Sequence, residues 1–405
     1  MRGHRPVVLF FCLLLIVLLS LIPPRTEAFY YVHIWQVSFS GALNVNGNQS
    51  YPISNRWTYI GNTTWQTSNQ RSFEMTTTNH TVVPTGLAAD PDNNPQLVLN
   101  ISSPLAPHES LNWRQEWRFT VADRRPPLPR ISLQQGGAVT EIESLIGPDN
   151  YLLYTQPTNL WKTANLTLVN LASNIRDTLP AAQQGNALAL VCAALVWIGQ
   201  NIQTTTTIDD PQYPEELLVS TGGDCDDQSN LLIVLLRILG IPSYLMTGHW
   251  YQDGASTRGY LWGSVAEDAY LFVDWKNVLG HGWAMVYVPP WGWLPFDLTV
   301  ENLASAPLNA YYQSLYAQGT PIVTLWQCIS TDYIGAQRQE RAELFQYRLH
   351  RTEFEEWSTL GNIPILDLPY FVANAATLIA LTSTLALLGG FVGIGMRRQP
   401  REENP

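Results

Sequence analysis

Three residues in this chain have the types and spacing for covalent acyl chemistry: Cys225, His281 and Asp297. A thiol becomes an effective nucleophile when a neighbour takes its proton, and an imidazole does so when a third group fixes its tautomer. Cys225 stands in Thr221-Gly-Gly-Asp-Cys-Asp-Asp-Gln-Ser-Asn230, ahead of an almost unbroken apolar run from Leu231 to Leu239. Two glycines supply a turn, Asp224 a cap, and Gly240 with Pro242 a stop. The pattern predicts a buried helix from about Cys225 to about Leu239. The thiol then lies in the first helical turn, where free N–H groups and the macrodipole favour an anion.

His281 begins the alternating segment His281-Gly-Trp-Ala-Met-Val-Tyr-Val-Pro289, and Trp293-Leu-Pro-Phe-Asp297-Leu-Thr299 follows a Pro-Pro-Trp-Gly turn. Two strands joined this tightly pair antiparallel, so His281 and Asp297 are expected near the same outer end. Packed on the cysteine helix, the hairpin would complete a site for acyl transfer, with the Cys225 backbone N–H as an oxyanion donor. Asp224, Asp226 and Asp227 oppose a thiolate, so His281 must outweigh them. Consecutive helical residues point in different directions, so these carboxylates are not expected to form a metal site, and no cofactor is expected.

Gly222-Gly-Asp-Cys225-Asp-Asp, Leu235-Leu-Arg-Ile-Leu-Gly-Ile-Pro242, His281-Gly-Trp and Gly292-Trp-Leu-Pro-Phe-Asp297-Leu-Thr299 occur in this order. Together they resemble the core of the transglutaminase-like superfamily, over about residues 186–299. The resemblance implies an α+β fold with a papain-like core, a cysteine helix packed on an antiparallel sheet. In that core Cys225 would be the nucleophile, His281 the base and Asp297 the orienting acid. Two departures stand out. Met285 occupies a place where similar proteins often carry glutamate, and the polar stretch 252–259 reads as a hairpin insertion at the mouth of the site. Five tryptophans (Trp250, Trp262, Trp283, Trp291 and Trp293) are expected to crowd an apolar cleft there. The expected activity is hydrolysis of a peptide or amide bond in a protein or peptide substrate at the cell surface. The alternatives are an amine-incorporating crosslinker and an inactive adhesion or scaffold protein.

Residues 1–28 read as a signal peptide: Arg2 and Arg5, an apolar run from Val7 to Ile22, and small residues near Ala28. Residues 29–137 read as a β-sandwich-like domain of short alternating strands. Residues 138–300 form the expected catalytic domain, with helices at 163–178 and 186–202. The charge-rich segment 301–362 reads as a helical stalk. Residues 371–396 contain no charge and are followed by Arg397, Arg398 and Arg401. At about 1.5 Å per residue a helix there spans about 39 Å, enough to cross a bilayer, with 397–405 as a cytoplasmic tail. The expectation is a single-pass cell-membrane protein with its catalytic domain outside.

Only 14% of residues are charged and the net charge is −11, which argues against a nucleic-acid partner. Sequons at Asn48, Asn62, Asn79, Asn100 and Asn165 precede the cysteine helix and suggest exposed loops. Cys12 falls in the signal peptide, which leaves Cys192, Cys225 and Cys328. Cys192 reads as a buried packing residue, with a bridge to Cys328 left open.

Overall fold

The computed structural model describes residues 29–63, 66–101, 104–122, 129–205, 210–314 and 322–366. The expected signal peptide, membrane helix and tail lie outside the described residues. Among those residues no helix is long and apolar enough to cross a membrane. Residues 32–363 form one compact unit; the described residues beyond it are the ends of two strands.

In the N-terminal half run β1 (Phe29–Val45), β2 (Arg56–Thr58), β3 (Gln66–Thr77), β4 (Thr81–Val82), β5 (Pro84–Ala89), β6 (Pro95–Leu99) and β7 (Ser110–Ala122). The helical part follows: α1 (Ile142–Ile146), α2 (Pro148–Thr155), α3 (Leu166–Asp177), α4 (Ala187–Asn201), β8 (Gln203–Thr204), α5 (Pro214–Ser220), β9 (Gly222–Gly223) and α6 (Cys225–Ile238). The chain continues through β10 (Ser243–Ser264), β11 (Ala269–Val288), β12 (Gly292–Phe296), α7 (Asn309–Tyr312), β13 (Ile322–Cys328), α8 (Tyr333–Gln346) and β14 (Leu349–Leu366).

The caps explain the helix starts. Asn165 Oδ1 accepts from the N–H groups of Thr167 and Leu168, and Asn186 Oδ1 accepts from that of Ala189. The cysteine helix α6 stops where Gly240 turns to φ +78°. There Ile241 N–H reaches the Leu236 carbonyl and Gly240 N–H the Arg237 carbonyl, a Schellman ending. Residues Leu231 to Leu236 of α6 are fully buried among α3, α4 and the Ala284, Val286, Leu294 and Phe296 side chains of β11 and β12. Each such side chain contributes about 1.5–3 kcal/mol. Arg237 ties the far end of the helix down, donating to the carbonyls of Gln156, Ser243 and Ile329.

One large sheet organises the molecule, in the order β13-β10-β11-β14-β1-β7-β3-β4, with β12 on β11. The expected N-terminal β-sandwich is therefore corrected in part. A second sheet, β2-β6-β5, is present, and Trp57 and Tyr59 pack edge-on against Trp113 and Trp117 of the large one. The long strands β1, β3 and β7, however, continue the sheet that carries the site. Alternation identifies a strand but not the strand that accepts it.

The expected helical stalk at 301–362 is also corrected. Helix α8 ends at Gln346, Arg348 adopts φ +52°, and the chain reverses into β14, which runs parallel to β11 and lies between β11 and β1. Trp357 is fully buried there, 5.5 Å from Trp35 and 5.8 Å from Phe119. The charges that suggested a solvated helix do lie on α8 or at its end, Arg338 pairing with Glu216 and Arg341 with Asp210, but Glu340 reaches Arg351 of β14.

The polar stretch 252–259 forms no separate hairpin. It is a bulge within the continuous β10–β11 ladder, where Gly254 N–H donates to Asn277 Oδ1 at 2.9 Å. Cys192 and Cys328 are both buried and unbridged, which closes the disulfide question. Four of the five sequon asparagines are exposed, while Asn165 is half-buried as a helix cap.

Candidate active site

The Cys225 sulfur sits at the first residue of α6, partly exposed, facing the strand that carries the histidine. The backbone N–H of Gly282, the residue after His281, acts on the Cys225 thiol in favour of its ionised form. Close approach of strand and helix requires glycine at 282, because a Cβ there would stand 3.1 Å from Asp226 Cβ. The left-handed residue before the helix is Thr221, at φ +58°, and not either glycine; Gly222 and Gly223 are extended and pair with β8.

His281 and Asp297 meet as the hairpin predicts. Nε2 of His281 lies 2.7 Å from Asp297 Oδ2, and both side chains are almost wholly buried. The other carboxylate oxygen, Oδ1, accepts from Thr299 N–H at 3.1 Å and Thr299 Oγ1 at 2.8 Å. Nε2 is committed to Asp297, which leaves Nδ1 outside that bond. Trp250 meets the imidazole edge-on at 5.4 Å and Trp283 stacks at 6.1 Å, so the ring is held by aromatic walls. Of the other three tryptophans, Trp293 shares the hydrophobic cluster of Trp250 and Trp283, and two lie elsewhere. Trp262 donates to Asp210, Trp291 packs beside the α6 core, and Trp293 belongs to a cluster with Tyr154 and Tyr244.

The electrostatics run against a resting thiolate. Burial pushes the Cys225 thiol well up, the charges of Asp226 and Asp224 add to this, and the Gly282 N–H opposes it. Burial also raises Asp224 well above the carboxylate range, helped by a hydrogen bond with Asp226 and by the charges of Asp226 and Asp227. Burial raises Asp227 to about 6, although Gln212 donates to it twice. Burial would raise Asp297 too, but the hydrogen bond and charge of His281 and the two Thr299 donors hold it below the usual value. The site holds a neutral thiol at the start of α6 and, on the hairpin packed against that helix, an imidazole whose partner is an ionised carboxylate. A resting thiolate, which a helix N-terminus alone predicts, is disfavoured here.

One expectation about the carboxylates changes. Asp224 has extended backbone, φ −91° and ψ −157°, so the donor atoms of Asp224, Cys225 and Asp226 do not diverge; they lie within 4.8 Å of one another. Asp224 is the N-cap residue of α6 and Asp227 answers it in a capping box, accepting from Asp224 N–H at 3.4 Å, while Asp224 Oδ1 has no hydrogen-bond partner among the described residues.

Tyr333 was not among the residues singled out by sequence. Its hydroxyl donates to Asp226 Oδ2 at 2.5 Å and accepts from Asn230 Nδ2 at 2.7 Å. It fixes the carboxylate next to the nucleophile from a helix more than a hundred positions away, and no local pattern announces it. Asp92 secures the loop that leads to this tyrosine. Its carboxylate accepts from the N–H and hydroxyl groups of Ser330 and Thr331.

Residues 173–298 match the profile of the transglutaminase-like superfamily. An uncharacterized protein of Bacillus subtilis (strain 168), YebA, is 30% identical over 95 residues, which is 22% of this chain and 11% of that protein. Among solved structures, a candidate cysteine protease from Cytophaga hutchinsonii overlaps 83% of this chain and 90% of its own at 14% identity and a TM-score of 0.42. The periplasmic domain of TgpA from Pseudomonas aeruginosa, bound to ethylmercury, overlaps 69% of this chain and 92% of its own at 16% identity and a TM-score of 0.29. The family match over 173–298 contains the cysteine helix, the histidine strand and Asp297, so this chain carries a transglutaminase-like domain.

Proposed function

We propose that this protein is a cysteine acyl-transfer enzyme that hydrolyses peptide or amide bonds through a thioester. The observation that carries the reading is the buried His281–Asp297 pair, 2.7 Å apart, on the β11–β12 hairpin that packs against the cysteine helix. In the proposed cycle Cys225 Sγ attacks the substrate carbonyl carbon while its proton passes to His281 Nδ1. The Cys225 N–H is a donor for the oxyanion. The tetrahedral species collapses, the C–N bond breaks, and the leaving amine takes the proton from His281. Water then attacks the thioester with His281 again as base, releasing the acid and restoring the thiol. Asp297 remains ionised throughout, holding the Nε2–H and stabilising the imidazolium.

A peptide or protein substrate outside the cell fits the uncharged stretch at 371–396 and the arginines behind it, which support a membrane anchor with the catalytic domain exterior. Labelling with a thiol-directed probe tests the enzymatic reading. Wild type should label faster than His281→Ala, and Cys225→Ala should lose that signal. Equal labelling of wild type and Cys225→Ala would favour a scaffold. Incorporation of a fluorescent amine into a glutamine-containing protein would replace hydrolysis with amine transfer.

A further inference from the structure

A second cavity, of about 340 Å³, lies over the large sheet and apart from the cysteine. Trp57, Trp113, Trp117, Trp275 and Trp326 supply its aromatic walls, and no lysine or arginine lines it among the described residues. Its floor holds a carboxylate that the fold only half satisfies. Glu355 is 6% exposed, and Oε1 takes both of its hydrogen bonds, from Trp357 Nε1 at 2.5 Å and with His249 Nδ1 at 2.9 Å. Oε2 has no protein donor among the described residues. A second carboxylate, Glu353, also lines the cavity, with its charge partly met by Arg351. His249 faces Gly280 in the β10–β11 ladder, the pair next to Gly248 and His281, so its side chain lies on the opposite face of the sheet from that of His281.

Aromatic faces attract a cation, and a carboxylate oxygen without a protein donor, on a side chain buried as Glu355 is, calls for N–H groups. We propose that this cavity binds a primary alkylammonium group, the end of a lysine side chain presented by a peptide. The butyl stem would lie against the indole faces and the ammonium would donate to Glu355 Oε2. A quaternary ammonium could use the aromatic walls but could not donate to that oxygen. A neutral alkyl chain would leave it unpaired.

The test is calorimetric titration of the full chain carrying Cys225→Ala, which removes any turnover, with Nα-acetyl-lysine N-methylamide, its norleucine counterpart and its ε-trimethylated counterpart. The lysine compound should bind about tenfold or more tightly than norleucine. Glu355→Gln should erase that difference, and Trp326→Leu, which leaves the carboxylate in place, should weaken lysine binding by several-fold. Thermal melting establishes that each variant is folded, and Trp326→Leu keeps the test open if Glu355→Gln does not fold. Norleucine binding as tight as lysine, trimethyl-lysine binding tighter than lysine, or no saturation by lysine up to about 10 mM in the folded chain would overturn the assignment. The readout is binding, so it stands or falls separately from the chemistry proposed for Cys225.

Discussion

Asp297→Asn should disable His281 through its tautomer and not through its position. Thr299 donates to Oδ1 twice, at 3.1 and 2.8 Å, while His281 Nε2 sits 2.7 Å from Oδ2. Asparagine has one accepting atom, and the two Thr299 donors hold it at the Oδ1 position. The amide NH2 then faces Nε2, which must give up its proton to accept. The proton moves to Nδ1, the nitrogen that would otherwise serve the thiol. Cys225 is left to its own ionisation. An ordinary thiol near pKa 8.5 is about 3% thiolate at pH 7, and this site pushes its thiol higher. Alkylation of Cys225 by iodoacetamide at pH 7 should therefore slow by about 30-fold or more, equivalent to about 2 kcal/mol. The residual rate should climb about tenfold per pH unit toward alkaline pH, as expected of an unassisted thiol. Mass spectrometry follows the modification at Cys225 directly, with buried Cys192 and Cys328 in the same chain as references. Thr299→Val in the Asp297→Asn background removes one donor, frees the amide to turn, and should restore part of the rate. An Asp297→Asn chain with unchanged melting that labels within about twofold of wild type would refute the tautomer argument.

Three further outcomes follow from the same geometry. Asp226→Asn keeps an oxygen for Tyr333 but removes the charge beside the sulfur, so in a His281→Ala background the pH midpoint for Cys225 alkylation should fall by about 1 to 2 units; an unmoved midpoint would show that Asp226 does not govern the thiol. Trp357→Ala should cost about 3–5 kcal/mol while preserving a single unfolding transition, because its strand joins the two halves of one sheet; two resolved transitions in denaturant would contradict that continuity. Stability should also depend on pH in two opposite ways. Asp297 and Asp92 titrate below their unfolded values, so their contribution is complete above about pH 4 and is lost as acid protonates the folded chain. Asp227 is raised to about 6, so between about pH 4 and 6 the folded state holds the extra proton and stability falls as pH rises. Asp227→Asn should flatten that decline in a series of melting temperatures, whatever its absolute cost; an unchanged slope counts against the assignment.

Local chemistry made the centre of this protein legible in its sequence. The Asp224 position, the apolar run and Gly240 bound α6 to within a residue of the expected helix, because capping and termination act over a few positions. The tight connection between β11 and β12 made the meeting of His281 with Asp297 a matter of hairpin register. What depended on distant partners was not legible. The alternation in β1, β3 and β7 could not say that β14 would stitch those strands to β11, and the helical reading of 349–357 missed a strand whose charge partners, Glu340 and His249, come from other elements. The electrostatic state of Cys225 belongs to the same class. A helix start favours a thiolate, but burial and the converging carboxylates of Asp224 and Asp226 decide against one, and Tyr333 fixes Asp226 from across the chain. Sequence sets what each segment can form on its own; desolvation and pairing between remote segments exist only once the chain has closed on itself.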